Sequence, residues 1–346
     1  MKKKYELLKD DRIANIDRVL YRIVALKDFG HVMKGDVGGY IEKEDNLSQE
    51  GNCWVFDNAK VYGNAVVSDD AEVCEIAEIY DNAKIYEKAA IEGKAKISGD
   101  AKIFGKAIVS DAKIYDNAKV YEHAIISDDV KVYGNSCIRG NAIISDDAKV
   151  YENAEVYDHS NVYGKAKVHG NSCIREDAEI YDNAEVYEDA CIYGGAAIYG
   201  KAKIYGESFI YDAANVFGNA KIHGESAICD GAEVCNAEIY DVTINGFSTS
   251  ITNNVKISSY HDYLVIPGDT EFDCTTIVKK GNIVYIDGLK SDTYLKNIID
   301  KHGEDKDYIK KCLLLIKFAK SHFGIKGETI SDDEYNKSIS KLKKKK

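Results

Sequence analysis

No uninterrupted apolar run in the sequence approaches the length that a bilayer span needs, and the opening MKKKYELLKDDR has basic residues with no apolar stretch behind them. Neither a spanning helix nor a secretory leader is expected, and a cytoplasmic protein is. An excess of basic residues is missing as well, the formal net charge being −12. That balance speaks against a nucleic-acid backbone as partner, because such binding needs basic patches. Nine cysteines occur without a CxxC or CxxCH arrangement, which fits free thiols in a reducing compartment. Proline occurs once, at Pro267. Ordered threonine rows, which an ice-binding face would use, are absent.

What is present is a repeat. From about Val55 to about Ile244 an aliphatic residue returns every six positions: VYGNA from Val61, VSDDA from Val67, VCEIA from Val73, IYDNA from Ile79, IYEKA from Ile85. Calling the aliphatic residue position i, position i+4 is almost always Ala or Ser, and the two positions between are mostly Gly, Asp, Asn, Glu or Lys. Two steps of five interrupt the count, from Val109 to Ile114 and from Val234 to Ile239. A period of six fits neither a helix at 3.6 nor a plain strand at 2, so it describes a stacking unit of one short strand and one corner. The side chain at i points inward and its two neighbours outward. Ala or Ser at i+4 tucks under the corner, and Gly, Asn and Asp suit corner backbone with positive φ. Three strands and three corners close a triangular coil.

The unit [VI]-x-x-x-[AS]-x, as in VYGNA, ISGDA and IYGKA, resembles the hexapeptide repeat of the left-handed parallel β-helix, the fold of the trimeric LpxA-like superfamily. The resemblance covers over half the chain. It also supplies the hand, since the general crossover preference would predict the opposite one. A second period supports eighteen residues per coil: YGNSCIRGNA from Tyr133, HGNSCIREDA from His169 and YGESFIYDAA from Tyr205 repeat at thirty-six, or two coils. The fold class expected is mainly β, a left-handed parallel β-helix of about ten coils and roughly 50 Å.

Residues 1–50 break the period and read as an N-terminal β cap that hides the open edge of the first coil. Val19–Leu26 is its strand, Gly35, Gly38 and Gly39 its tight turns, and Trp54 its seam with the rod. The string LYRIVALKDFGHVMKGDVGGYIEKEDNLSQEGNCWV resembles the opening of the YdcK-like proteins, hexapeptide-repeat proteins of bacteria and their phages that are often described as transferases. That resemblance carries no established catalytic residues. The rod is expected over 51–260 and a small α+β domain over 261–330. The latter has a hairpin turned by Lys280, Gly281 and Asn282, a short helix from Asp292 to Gly303, and a longer one from about Lys306 to Phe323. Residues 331–346, ending KLKKKK, read as a disordered basic tail.

With aliphatic residues inside, chemistry must come from outward positions. His169 and His223 lie at i+1 and His123 and His159 at i+3, all coils apart, so no metal site is expected on the rod. Hexapeptide acyltransferases resemble this rod and use a histidine as general base in an intersubunit cleft. On that reading His169 or His223 would serve and acyl-CoA would be the cofactor. Those enzymes commonly extrude a loop, and no hexad between Ile114 and Val234 gains a residue. The alternative for each histidine is a surface residue standing in a tyrosine ladder.

Tyrosine is abundant, 25 residues, and regular. Tyr133, Tyr151, Tyr163, Tyr181, Tyr187, Tyr199 and Tyr205 are among those at i+1, where stacking stabilises a sheet face or offers a contact surface. The function expected is a non-catalytic binding or scaffold protein without a cofactor, presenting flat aromatic faces to a second copy of itself, another protein or a small ligand. The alternative is an acyl-CoA-dependent acyltransferase. Lys at i−1, interspersed with Asp and Glu, reads as a mixed solvated surface. Cys173 and Cys191, one coil apart, read as neighbouring free thiols rather than a disulfide.

Overall fold

The computed structural model describes residues 3–15, 17–246, 249–252, 255–259, 261–267, 274–280, 283–286, 289–290 and 306–325. The chain divides into two compact units, Met1–Glu207 and Ser208–Lys346. In the first unit two- and three-residue strands stack in parallel into three sheets. The first runs Lys60–Val61, Glu78–Ile79, Lys96–Ile97 and onward; the second begins at Val66–Val67; the third begins at Trp54–Val55. The first and third sheets have nine such rungs in this unit and the second has eight. The second unit, taken by itself, carries three rungs of each kind, ending at Lys256–Ile257. Strands number 33 from Trp54–Val55 to Thr243–Ile244 and two more follow, so the coils amount to about 12 turns rather than ten.

Position i is the core. Val61, Ile79, Ile97, Ile114 and Val132 are fully buried, and each is the register partner of the next. Ala at i+4 is equally buried, as in Ala83, Ala101 and Ala118. At some hexads Ser replaces it and the hydroxyl donates to the carbonyl of i+1: Ser136 Oγ to Tyr133 O at 2.9 Å and Ser160 Oγ to Tyr157 O at 2.7 Å. Either residue fits the space; Ser136 and Ser160 satisfy their hydroxyls locally, whereas the buried Ser172 hydroxyl has no partner among the described residues.

The corners use acidic residues in a way that the hexad pattern does not announce. Position i+2 is left-handed even where it is Asp or Glu, as at Asp81 (φ 58°), Glu87 (φ 58°) and Glu122 (φ 62°). Their carboxylates accept from the i+2 amide one coil on: Gly99 N to Asp81 Oδ2 at 3.2 Å, Gly105 N to Glu87 Oε2 at 2.9 Å, Gly140 N to Glu122 Oε2 at 2.7 Å. A carboxylate hydrogen bond offsets the cost of the αL backbone. Part of the net negative charge is thus structural.

Steps of five have a matching device. In a full corner the i+3 amide donates to the i+2 carbonyl of the next coil, as Ile76 N does to Gly93 O at 3.1 Å. Where the next coil is a residue short, a side chain supplies the oxygen: Lys94 N donates to Asp111 Oδ1 at 3.0 Å and Asn219 N to Asn236 Oδ1 at 2.8 Å. A third short step, from Ile239 to Ile244, escapes the sequence count of two. There Glu225 N donates to Asp241 Oδ1 at 2.9 Å.

Three strands precede the coils: β1 (Tyr5–Asn15), β2 (Arg18–Ala25) and β3 (Val37–Ile41). β1 and β2 are antiparallel, as are β2 and β3, and β3 then pairs in parallel with Lys60–Val61. Trp54 is buried against the ring edges of Tyr5 and Phe29, at 6.1 and 5.4 Å between centroids. Gly39 is required by contact: a Cβ there would lie 2.5 Å from the carbonyl oxygen of Ala59. The outer strand β1 is blunted by a bulge between Leu8 and Arg12 and by exposed Lys9, Asp10 and Asp11, both devices against edge pairing.

The second unit carries four antiparallel strands after its coils, Tyr263–Pro267, Cys274–Lys280, Ile283–Ile286 and Leu289–Lys290. The expected hairpin is present, with Gly281 and Asn282 outside the described residues. Helix α1 (Lys306–His322) follows, burying Cys312, Leu313, Ile316 and Ala319, with Phe323 just after it. The short helix expected from Asp292 to Gly303 and the basic tail lie outside the described residues. No helix among the described residues is long and apolar enough to cross a membrane.

Candidate functional site

The outward positions form columns because each sheet is in register. On the first sheet Tyr115, Tyr133, Tyr151, His169, Tyr187 and Tyr205 make one continuous ladder, with ring centroids 4.9, 4.9, 4.5, 5.1 and 4.9 Å apart in turn. On the third sheet Tyr163, Tyr181 and Tyr199 stack at 4.9 and 4.9 Å. The second sheet stacks Tyr86, Phe104 and Tyr121 at 4.8 and 4.7 Å. The seven candidate tyrosines thus fall in two ladders, four on the first sheet and three on the third.

Neighbouring rings are parallel within 7°, so each interior ring has both faces covered by its rung neighbours. The ladders offer edges and hydroxyls outward, not faces. Burial raises the phenols of Tyr151, Tyr163 and Tyr187, each to about 12. Near neutral pH each hydroxyl is a donor.

His169 occupies a tyrosine rung. Its Nδ1 lies 3.5 Å from Glu152 and its Nε2 3.5 Å from Glu185, and 17% of its side chain is exposed. His223, in the second unit, lies beside Tyr240 at 4.9 Å with Nε2 3.4 Å from Glu238. Each of these imidazoles has a carboxylate from the i−1 column of the next coil. His159 belongs to a corner column, its Nε2 3.2 Å from Asn141 Nδ2. No group of three or more metal-capable side chains occurs among the described residues.

Beside the first-sheet ladder runs a lysine column, Lys96, Lys113, Lys131, Lys149 and Lys167, consecutive partners in register. Hexad spacing alone reads these as part of a mixed surface; the eighteen-residue fold-back puts them in one line. Glutamates close both ends: Glu78 pairs with Lys60 and Lys96 at 3.1 and 3.5 Å, and Glu185 with Lys167 and Lys203 at 3.6 and 2.6 Å. Among the described residues no carboxylate comes within ion-pair distance of Lys113, Lys131 or Lys149. These three border a shallow trough of about 590 Å³, together with Lys165, Lys167 and two aspartates, Asp129 and Asp147.

No family model matches the chain. Among curated proteins it is similar to the "Uncharacterized acetyltransferase YdcK" of Escherichia coli (strain K12), 49% identical over 39 residues, or 11% of this chain and 12% of that protein. The matched stretch is therefore a small part of the relative's length. A hexapeptide-type β-solenoid agrees with that likeness.

Glu185 offers a pH test of the ion-paired end of the column. Burial works against its charge, but Lys203 and Lys167 outweigh it, and the carboxyl lies below its ordinary value of 4.5. A carboxyl whose folded value is depressed contributes stability above the unfolded value and loses it as the pH falls through the folded one. Glu185→Gln should lower the melting temperature at neutral pH, and the gap from the parent should narrow as the pH is taken below 4.5. A gap independent of pH in thermal melts would count against the assignment.

Proposed function

We propose that this chain is a non-catalytic binding or scaffold protein whose outward columns meet a second copy of itself or another partner. The observation that carries the reading is the unbroken stacking of coils in the first unit. A general base needs a walled pocket, and His169 lies instead within a flat ladder between two tyrosines. Charge supports a partner bearing acidic groups on the first sheet. Cations one rung apart, at about 4.8 Å, repel by roughly 0.9 kcal/mol even in water, and among the described residues no carboxylate comes within ion-pair distance of Lys113, Lys131 or Lys149. Anionic groups along the trough would relieve this.

The test uses Tyr163, Tyr181 and Tyr199, three successive rungs of the third-sheet ladder. Two stacked pairs are worth about 1 to 3 kcal/mol together, so changing all three to Ser should lower the melting temperature modestly with the rod still folded. The proposal expects more: weaker self-association or partner binding, read by sedimentation against concentration. A lowered melt with unchanged association would reduce the ladder to sheet stabilisation.

A second reading is favoured by two observations, the likeness to a protein named as an acetyltransferase and the carboxylates beside His169 and His223. It makes the chain an acyl-CoA-dependent acyltransferase with one of these histidines as base. Saturable acetyl-CoA binding that is lost in His169→Ala or His223→Ala would establish it in place of the first.

A further inference from the structure

The duplication at thirty-six residues places Cys137 and Cys173 in matching surroundings on the second sheet. Cys137 Sγ lies 3.6 Å from the Tyr121 hydroxyl, and Cys173 Sγ lies 3.3 Å from the Tyr157 hydroxyl. Two residues after each comes an arginine whose guanidinium covers the tyrosine of the next coil, Arg139 over Tyr157 at 4.1 Å and Arg175 over Tyr193 at 4.6 Å. The copies differ on the next rung. Cys137 is the register partner of Glu155, whereas Cys173 is the partner of Cys191.

One copy therefore sets a thiol against a carboxylate and the other a thiol against a thiol. Neighbouring strands hold such partners about 4.8 Å apart, within the Cα range that a disulfide spans. Both thiols of the pair are half-buried and free, so small reagents reach them. A hydrogen bond from Cys191 lowers the Cys173 thiol below its ordinary value; burial and Glu155 on the preceding rung oppose this, while Tyr157 and Arg175 reinforce it. Cys191 is raised in turn by Cys173 and by burial. Geometry favours Cys173 as the attacking thiolate, because its sulfur has the Tyr157 hydroxyl at 3.3 Å as well as its rung partner Cys191.

We propose that Cys173 and Cys191 form a vicinal dithiol that reacts with low-molecular-weight disulfides and closes to an intramolecular disulfide. The Cys173 thiolate attacks one sulfur of the small disulfide, whose S–S bond breaks and releases one thiolate. The released thiolate takes the proton of Cys191. Cys191 sulfur then attacks Cys173 sulfur in the mixed disulfide and expels the second small thiolate, which is protonated from water. Two protein sulfurs are oxidised by two electrons in all, and the reagent is reduced to two thiols. At Cys137 the sequence stops after the first step, because its partner is Glu155.

The test treats the reduced full-length protein with oxidised glutathione, quenches with acid, and maps peptides by mass spectrometry. The parent should yield a linked Cys173–Cys191 peptide pair lacking two hydrogens, with Cys173 reacting about tenfold faster than Cys137. Cys191→Ala should accumulate a stable glutathione adduct on Cys173, formed more slowly than the first step in the parent. Cys173→Ala should leave Cys191 unlinked and slow. Circular-dichroism melts check that both variants fold. A parent that accumulates the Cys173 adduct without linkage, or in which Cys173 and Cys137 react at equal rates, overturns the proposal.

Discussion

Ile180→Asp should abolish the cooperative melt of the rod, while Tyr181→Asp, one residue on, should leave it folded and only modestly less stable. Ile180 is fully buried and is the register partner of Val162 and Ile198. Losing its aliphatic burial costs about 1.5 to 3 kcal/mol, and an unpaired carboxylate in its place adds several more. Net stabilities of roughly 5 to 15 kcal/mol leave little margin. The solenoid spreads the damage, because each coil rests on its neighbours and a broken one removes an interface on both sides. Tyr181 loses two stacked contacts, each worth about 0.5 to 1.5 kcal/mol. Circular-dichroism melts with solubility measured alongside decide it. If Ile180→Asp melted like the parent, position 180 would not face the core.

The contrast between these two residues shows why so much of the fold was legible. Period six with Ala at i+4 fixes which side chains point inward, and eighteen residues per coil fix which positions stack. From those counts the members of each tyrosine ladder follow, and so does the rung of His169. The counts do not say how rings turn. That the faces of Tyr133 and Tyr151 are spent on each other, leaving edges outward, depends on rotamers shared along a column. Nor does a hexad show Asp81 or Glu87 as corner acceptors, since an acidic residue in a polar slot looks like ordinary surface. The short step from Ile239 to Ile244 is legible as a spacing of five; what the sequence does not show is that the side chain of Asp241 stands in for the missing carbonyl. The lysine column was within reach of the sequence: aligning Lys96, Lys113, Lys131, Lys149 and Lys167 by coil, rather than reading them along the chain, puts them in one line. Cys173 and Cys191 were legible as a pair. What distinguishes them from Cys137 is the latter's rung partner, Glu155, which the same eighteen-residue count gives.

Removing residues 1–50 should turn the protein into one that associates with rising concentration while its coils persist. The deletion strips β3 from Lys60–Val61 and Leu47 from Val67, leaving strand amides and carbonyls without partners at the end of two sheets. Trp54 loses Tyr5 and Phe29 at the same stroke, so the exposed end is apolar as well as ready to pair. The native chain avoids this by ending its first sheet in β1, whose bulge and charged Lys9, Asp10 and Asp11 make a poor template. Truncation replaces that edge with short, regular, parallel strands, which accept a second copy readily. Coils farther along touch only their neighbours and need nothing from the cap to form. Light scattering should therefore show a weight-average mass that climbs with concentration, to at least about twice that of the parent, with the far-ultraviolet circular dichroism of a β-solenoid retained. A deletion stopping after Asn15, which removes β1 alone and leaves β3 in place, should associate less. A truncated protein that stays monodisperse in the parent's oligomeric state would mean that residues 1–50 do not protect the edge.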